Sequence, residues 1–77
     1  MRKAVFDTYG HRCIRCFKPT NEVHEITPRS QDPDWFDLDN MIPLCHNCHL
    51  GWAHRIGAQH AAPVLRRLQT RALQFGV

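Results

Sequence analysis

The chain has 77 residues, and ten Lys and Arg against seven Asp and Glu give it a formal net charge of +3. A domain of this size buries only about 60% of the surface that its unfolded chain exposes, so we expect a metal, disulfides or a partner to supplement a small core. No segment resembles a signal peptide or approaches the roughly 20 apolar residues that cross a bilayer, which excludes a membrane protein and favours the cytoplasm.

The N-terminal third of the chain predicts one helix and one strand. Residues 2–9 are expected to form a short helix that ends at Gly10, a residue that readily adopts the backbone conformation found after helices. Turn-forming residues at 19–21 follow. The segment 22–27 contains β-branched residues and stops at Pro28, so it is predicted to be a strand.

The middle of the chain predicts a loop, a second strand and a second helix. Residues 28–39 are rich in Pro, Asp and Ser and are expected to form the loop. Residues 40–44 are predicted to be a short strand, which Pro43 confines to the edge of a sheet because it lacks an N–H group. A helix is expected from His46 to about Arg55.

The clearest predicted helix covers residues 61–75, with Pro63 near its start, where a missing N–H costs nothing. Gln69, Arg66 and Arg67 are expected to lie away from its buried face. That face is predicted from an apolar stripe at helical spacing, formed by Val64, Leu65, Leu68, Ala72 and Phe75.

The last third of the chain contains four arginines and no acidic residue. A basic segment of this kind is typical of phosphate binding, although a soluble helix with a charged face gives the same pattern. The predicted nucleic-acid contacts in this segment are Arg55, Arg66, Arg67 and Arg71.

Two CxxC pairs are the strongest chemical signal in the sequence, and they consist of Cys13, Cys16, Cys45 and Cys48. Each pair brings two thiolates to one metal, and two pairs complete a closed tetrahedral zinc site, which is structural because no coordination position stays open. A reducing cytoplasm favours metal over disulfides. A mixed site that includes a neighbouring histidine, His11, His46 or His49, is the other alternative.

Three sequence elements occur in a specific order: CIRC, then VHEITPRS, then DNMIPLCHNCH. This order resembles the HNH nuclease family, also called ββα-metal nucleases, in which a CxxC precedes a histidine-containing strand and a Cys-x-x-Cys-His follows a loop. The resemblance covers about residues 2–55. It implies one small α+β zinc-bound domain over residues 1–77, with a ββα-metal motif at 11–55, a short N-terminal helix and a basic amphipathic C-terminal helix.

The resemblance also implies roles for individual residues. His24 falls at the first metal-ligand position, and Glu25 falls where the family usually has its general-base histidine. Asn40 takes the position of an asparagine that ties the loop and orients the catalytic residues. His49 takes the position of the ligand on the helix. His54 is a further candidate ligand, and its alternative is a solvent-exposed or phosphate-contacting histidine.

Glu25 is where the sequence departs from the family. Phosphodiester hydrolysis needs a base for the attacking water and a cation for the developing charge, and a carboxylate is an intrinsically weaker base than an imidazole. Three outcomes stay open. Glu25 is the base and His24 a ligand; the two roles are exchanged, with Glu25 binding Mg²⁺ or Mn²⁺; or the fold persists without catalysis. Arg29, after the strand, is a candidate contact for the scissile phosphate.

The function that the resemblance implies is a metal-dependent endonuclease that hydrolyses or nicks DNA with low sequence specificity. It would use structural Zn²⁺ and catalytic Mg²⁺ or Mn²⁺, with Ni²⁺, Zn²⁺ or another divalent metal as the alternative for a site with two histidine ligands. Its expected location is the cytoplasm of a bacterium or of a phage-infected host. The alternative is a catalytically inactive zinc module that binds nucleic acid or a protein partner, such as a phage-encoded regulator or inhibitor. The apolar stripe of the last helix also leaves a homodimer open.

Overall fold

The computed structural model describes residues 2–27 and 38–75. Most of the predicted loop at 28–39, including Arg29, lies outside these ranges. Residues 46–56 form one continuous helical segment, called here the histidine helix. The other elements, in chain order, are the N-terminal helix Arg2–Tyr9, strand β1 Val23–Glu25, a 3-10 turn Leu38–Asn40, strand β2 Met41–Pro43 and the C-terminal helix Ala58–Phe75. No helix within the described ranges is both long enough and apolar enough to cross a membrane.

The two strands pair antiparallel, with His24 opposite Ile42. Both are shorter than predicted from the sequence. Beyond Glu25 the regular ladder ends, and the chain is instead held by Asn40, whose C=O accepts a hydrogen bond from the N–H of Ile26 at 2.8 Å. The side chain of His24 is buried while those of its two neighbours on β1 are only half-buried, as the alternation of a strand requires.

The N-terminal helix agrees with the prediction and ends at Gly10. The φ of Gly10 is +79°, and its N–H donates to the C=O of Phe6 at 2.7 Å. The first CxxC turn follows and is attached to the sheet, because the N–H of Ile14 donates to the C=O of Pro43 at 3.0 Å. The first cysteine pair is therefore attached to the last residue of β2, and the second pair begins two residues after that strand.

The C-terminal helix begins three residues earlier than predicted, at Ala58. Gly57, with φ +95°, ends the preceding helix, and its C=O accepts hydrogen bonds from the N–H groups of His60 and Ala61, both at 3.0 Å. A glycine adopts this φ without steric cost, which sets the boundary. Pro63 consequently lies inside the helix and not near its start.

The buried face of the C-terminal helix differs from the predicted stripe at two positions. Leu65 is fully buried as predicted, but Gln69 is buried too, and Phe75 is 77% exposed. Ala61, Leu65 and Gln69 are spaced by four residues and form one side of the helix. The amide of Gln69 donates to the hydroxyl of Tyr9 at 3.2 Å, so its polar atoms are satisfied inside the core.

Candidate metal centres

The four predicted zinc ligands come together in the fold. Their sulfur atoms all lie within 4.8 Å of one another, and none of the cysteines is in a disulfide. The Sγ atoms of Cys16 and Cys45 are 3.5 Å apart. Four thiolates about 2.3 Å from a tetrahedral zinc are separated from one another by about 3.8 Å, so the four cysteines fit a zinc ion. The cluster contains no histidine, in agreement with the four-cysteine prediction.

Backbone N–H groups point at the sulfur atoms of this thiolate centre. The N–H groups of Arg15 and Cys16 both donate to the Sγ of Cys13 at 3.4 Å, and the N–H of Cys48 donates to the Sγ of Cys45 at the same distance. Burial opposes ionisation of Cys13, but backbone N–H donors outweigh it and lower the pKa of this thiol to about 7. Burial raises the pKa of Cys48 to about 12. Metal binding to this centre therefore requires the release of protons.

A second cluster consists of three histidines, His24, His49 and His54. One ring nitrogen from each lies within 4.8 Å of the others. The ring centroid of His49 is 4.9 Å from that of His24 and 4.6 Å from that of His54. The rings line a cleft of about 350 Å³ to which Glu25 and Ala58 also contribute. The structure therefore unites both predicted histidine ligands with His54, whose involvement the sequence had left open.

The Nε2 atom of His24 is the clearest sign that this cluster fits a metal. His24 is only 7% exposed, and its Nε2 is buried with no hydrogen-bond partner among the described residues. A buried polar atom without a partner is costly, and native proteins usually satisfy such atoms. Burial lowers the pKa of His24, and the nearby His49 and His54 lower it further, to about 4. His24 is therefore neutral at pH 7, which is the form that binds metals.

His54 joins the cluster because the histidine helix is not α-helical throughout. It is α-helical over His46–Cys48, π-helical over His49–Ala53 and α-helical again over His54–Ile56. At about 100° per residue, an α-helix would place His54, five positions after His49, about 140° away from it around the helix axis. In the π-helical turn the N–H of His54 donates to the C=O of His49, so both side chains lie on one face.

Glu22, which the sequence did not single out, supports the histidine cluster from outside. Its two carboxylate oxygens lie 3.4 Å from Nδ1 of His46 and 3.6 Å from Nδ1 of His49. A carboxylate beside one ring nitrogen of a ligating histidine fixes the tautomer and leaves the other nitrogen for the metal. Glu22 directly precedes β1 and lies more than twenty residues before both histidines, so no local sequence pattern indicates this contact.

Asn40 lies away from the cleft and closes the loop between the strands. It is 2% exposed, accepts a hydrogen bond from the N–H of Thr27 at 2.8 Å and donates to the C=O of Thr27 at 3.0 Å. Arg66 donates to the C=O of Asp39 at 2.8 Å and to Oδ1 of Asn40 at 3.2 Å. The guanidinium of Arg66 is thus engaged in holding this corner, whereas Arg55, Arg67 and Arg71 are exposed.

Among the described residues, the histidine cluster includes no carboxylate ligand. Glu25 lines the same cleft but is not one of the three residues whose ligand atoms lie close together. Imidazole nitrogens suit Zn²⁺, Ni²⁺ and Fe²⁺, whereas Mg²⁺ and Mn²⁺ prefer oxygen ligands. The three imidazole ligands therefore suit Zn²⁺, Ni²⁺ or Fe²⁺ better than the Mg²⁺ or Mn²⁺ that the sequence led us to expect.

A second contact of the thiolate centre reaches the histidine helix. The guanidinium of Arg15 lies 4.2 Å from the ring centroid of Trp52 and donates to Sγ of Cys48 at 3.5 Å. Arg15, inside the first CxxC turn, therefore contacts both the other cysteine pair and the π-helical turn.

Comparison of the chain with protein-family models, curated proteins and solved structures gave no match.

Proposed function

We propose that this chain is a metal-dependent endonuclease of the HNH type, which hydrolyses or nicks DNA with low sequence specificity. The observation that carries the proposal is the convergence of His24, His49 and His54 in an open cleft that also contains Glu25. The order of two antiparallel strands followed by a helix agrees with the ββα arrangement that the sequence resemblance implies.

Three imidazoles leave coordination positions of a divalent ion open, and such an ion would stabilise the negative charge that develops on the phosphate. In this proposal His24, His49 and His54 hold the ion and Glu22 orients His49. The carboxylate of Glu22 lies on the Nδ1 side of that ring, which favours binding through Nε2.

Glu25 is the proposed general base. It is the one carboxylate among the described residues that line the cleft, and it is half-buried, so a water molecule can reach it. The exchanged assignment, with His24 as base, fits less well. His24 belongs to the ligand group with His49 and His54, and its buried Nε2 has no hydrogen-bond partner among the described residues, so that nitrogen is better placed to bind the ion than to activate a water.

The exposed arginines Arg55, Arg67 and Arg71 are the proposed phosphate contacts on the described surface, and Arg29 is proposed on its sequence position alone. Binding that depends on phosphate contacts weakens steeply with salt and carries no sequence information, in keeping with low specificity. Arg66 is expected to contribute less, because its guanidinium already donates to Asp39 and Asn40.

A second candidate function is a nuclease-like zinc module that binds nucleic acid or a protein without cutting. The observation that favours it is the carboxylate of Glu25 at the position of the general base, because carboxylates are weaker bases than imidazoles. Both candidates share the thiolate centre. They differ only in whether the histidine-lined cleft hydrolyses a phosphodiester bond.

Plasmid nicking distinguishes the two. Zinc-loaded protein is incubated with supercoiled plasmid and Zn²⁺, Ni²⁺, Mn²⁺ or Mg²⁺ in separate reactions. The endonuclease proposal expects nicking by the wild type, loss in His49→Ala and Glu25→Gln, and no change in His60→Ala, an exposed histidine outside the cleft. Intact plasmid with every metal would favour the non-cutting module. Full activity of Glu25→Gln would remove Glu25 as the base.

A further inference from the structure

A second cleft lies on another part of the surface, between the first CxxC turn and the C-terminal helix. Its volume is about 430 Å³, and it is lined by aromatic and aliphatic side chains together with two arginines. Phe17 contributes from the CxxC turn, and Arg71 and Phe75 contribute from the helix. None of these three side chains is needed for the core, since Phe17 is 60% exposed, Phe75 is 77% exposed and Arg71 is exposed as well.

The backbone of Phe17 is strained. Its φ is +68°, and it is the only residue other than glycine with a positive φ in the part of the chain that the structure describes. Its N–H donates to the C=O of Cys13 at 2.9 Å and closes the turn. Glycine adopts this conformation without steric conflict, whereas a bulky aromatic residue rarely does. Neither the turn nor the core accounts for a phenylalanine here, and strain of this kind is found where a side chain serves a ligand.

The charge of the cleft selects the kind of ligand. Its described lining includes Arg15 and Arg71 and no acidic residue. A second copy of the chain docked on the same face would bring these arginines against their own copies, which like-charge repulsion opposes. Exposed aromatic rings beside cations are instead the combination with which proteins bind single-stranded nucleic acid, because every base has a face to stack and every nucleotide a phosphate.

The size of the cleft favours unpaired nucleotides over a duplex. A volume of about 430 Å³ is in the range of pockets that hold small organic molecules, so it accommodates one or two bases. In a double helix the base faces are covered by their neighbours and cannot stack on a protein ring. We infer that this cleft binds unpaired nucleotides, with Phe17 and Phe75 stacking on bases and Arg71 contacting phosphate.

The inference rests on the proposed function for its choice of nucleic acid, and it adds to the proposed nuclease a separate binding site for single-stranded DNA. The test is fluorescence anisotropy with a labelled ten-nucleotide oligo-dT and with a blunt duplex of equal length. It uses the full zinc-loaded chain without any other divalent metal, so that binding is measured apart from cleavage.

The decisive variant is Phe17→Gly, which removes the ring and relieves the backbone strain. We expect it to unfold at the same or a higher temperature than the wild type, yet to bind oligo-dT about tenfold more weakly, since stacking of one base has an effect of this size. Phe75→Ala and Arg71→Gln should also weaken binding. Leu73→Ala and Lys3→Gln are matched controls, exposed and outside the cleft, and should bind like the wild type.

Equal oligo-dT affinity of wild type and Phe17→Gly would overturn the inference, and so would a wild type that binds the duplex as tightly as the single strand. Displacement of oligo-dT by an acidic aromatic peptide at lower concentration would replace it with a protein partner. A wild type that fails to nick plasmid but binds oligo-dT through Phe17 would refute the nuclease and leave this inference intact. Nicking that persists in Phe17→Gly while oligo-dT affinity falls would support both.

Discussion

The N–H of His54 donates to the C=O of His49, and this one backbone hydrogen bond places two side chains five residues apart on the same face of a helix. The same π-helical turn relates Cys48 and Ala53, which are both buried. One side of the turn therefore faces the core and the thiolate centre, while the other presents His49 and His54 to the cleft. Turns of this type are frequent at functional sites.

The first prediction concerns His54 as a ligand. Replacing a residue that only supports a metal ligand lowers metal affinity by about 10- to 100-fold. Loss of a ligand itself costs more, so His54→Ala should lower Ni²⁺ affinity by more than about 100-fold. Titration calorimetry of zinc-loaded protein with Ni²⁺ measures this, with His60→Ala as the matched control. If the two variants bind Ni²⁺ equally well, His54 is not a ligand.

The second prediction concerns Glu22, which contacts His46 and His49. Glu22→Ala should lower Ni²⁺ affinity by about 10- to 100-fold, because the ring of His49 loses the carboxylate that orients it. Glu22→Gln retains an acceptor and should recover part of the affinity. Asp7→Ala removes the same charge on the N-terminal helix and serves as control; a similar loss there would show a general electrostatic effect instead of positioning.

The third prediction concerns the thiolate centre. We expect a strong chelator to unfold the chain, because binding of a structural zinc ion supplies folding free energy that a domain of this size otherwise lacks. Cys45→Ser should be unfolded even with zinc present. Far-ultraviolet circular dichroism and elemental analysis follow the two effects, and His49→Ala should keep the zinc ion of this centre. A chain that stays folded without zinc would contradict the structural role.

The fourth prediction concerns Asn40, whose side chain makes two hydrogen bonds with the backbone of Thr27. Asn40→Ala removes both and leaves partly buried backbone groups of Thr27 without these partners, so it should lower the free energy of unfolding by about 2 kcal/mol. Urea denaturation in excess zinc measures the loss. Asn47→Ala, at an exposed position, should change stability little; an equal effect of both substitutions would refute the role of Asn40 in closing the loop.

The fifth prediction concerns pH. The pKa of His24 is about 4 in the folded chain and near 6.5 in the unfolded chain, which therefore binds a proton that the folded chain excludes. The stability supplied by neutral His24 is complete above pH 6.5 and is lost as the pH falls towards 4. Both proteins are compared with the histidine centre metal-free. Between pH 7 and 5.5 the free energy of unfolding of the wild type should fall by about 1 kcal/mol more than that of His24→Gln. Urea denaturation at each pH measures this. If the free energies of unfolding of the two proteins fall equally with pH, His24 does not titrate in this way.

Secondary-structure elements were predictable from the sequence where residues close together in the chain determine them. The N-terminal helix and its end at Gly10 follow from helix periodicity and from the conformational freedom of glycine. The C-terminal helix was predicted with the wrong start, because its first turn depends on how Gly57 ends the segment before it. Gln69 was misassigned to the exposed side for a related reason: its burial depends on Tyr9, sixty residues away in sequence.

The sequence by itself determined the thiolate centre, since two CxxC turns are locally preformed and a chain this small needs a cross-link. It also indicated His24, Asn40 and His49 through their order. Only the tertiary structure decided that His54 lies beside His24 and His49, that Glu22 lies beside His49 and that Glu25 stays outside the histidine cluster. These facts depend on a π-helical hydrogen bond and on the packing of a strand against a helix, and neither is encoded in the identity of any single residue.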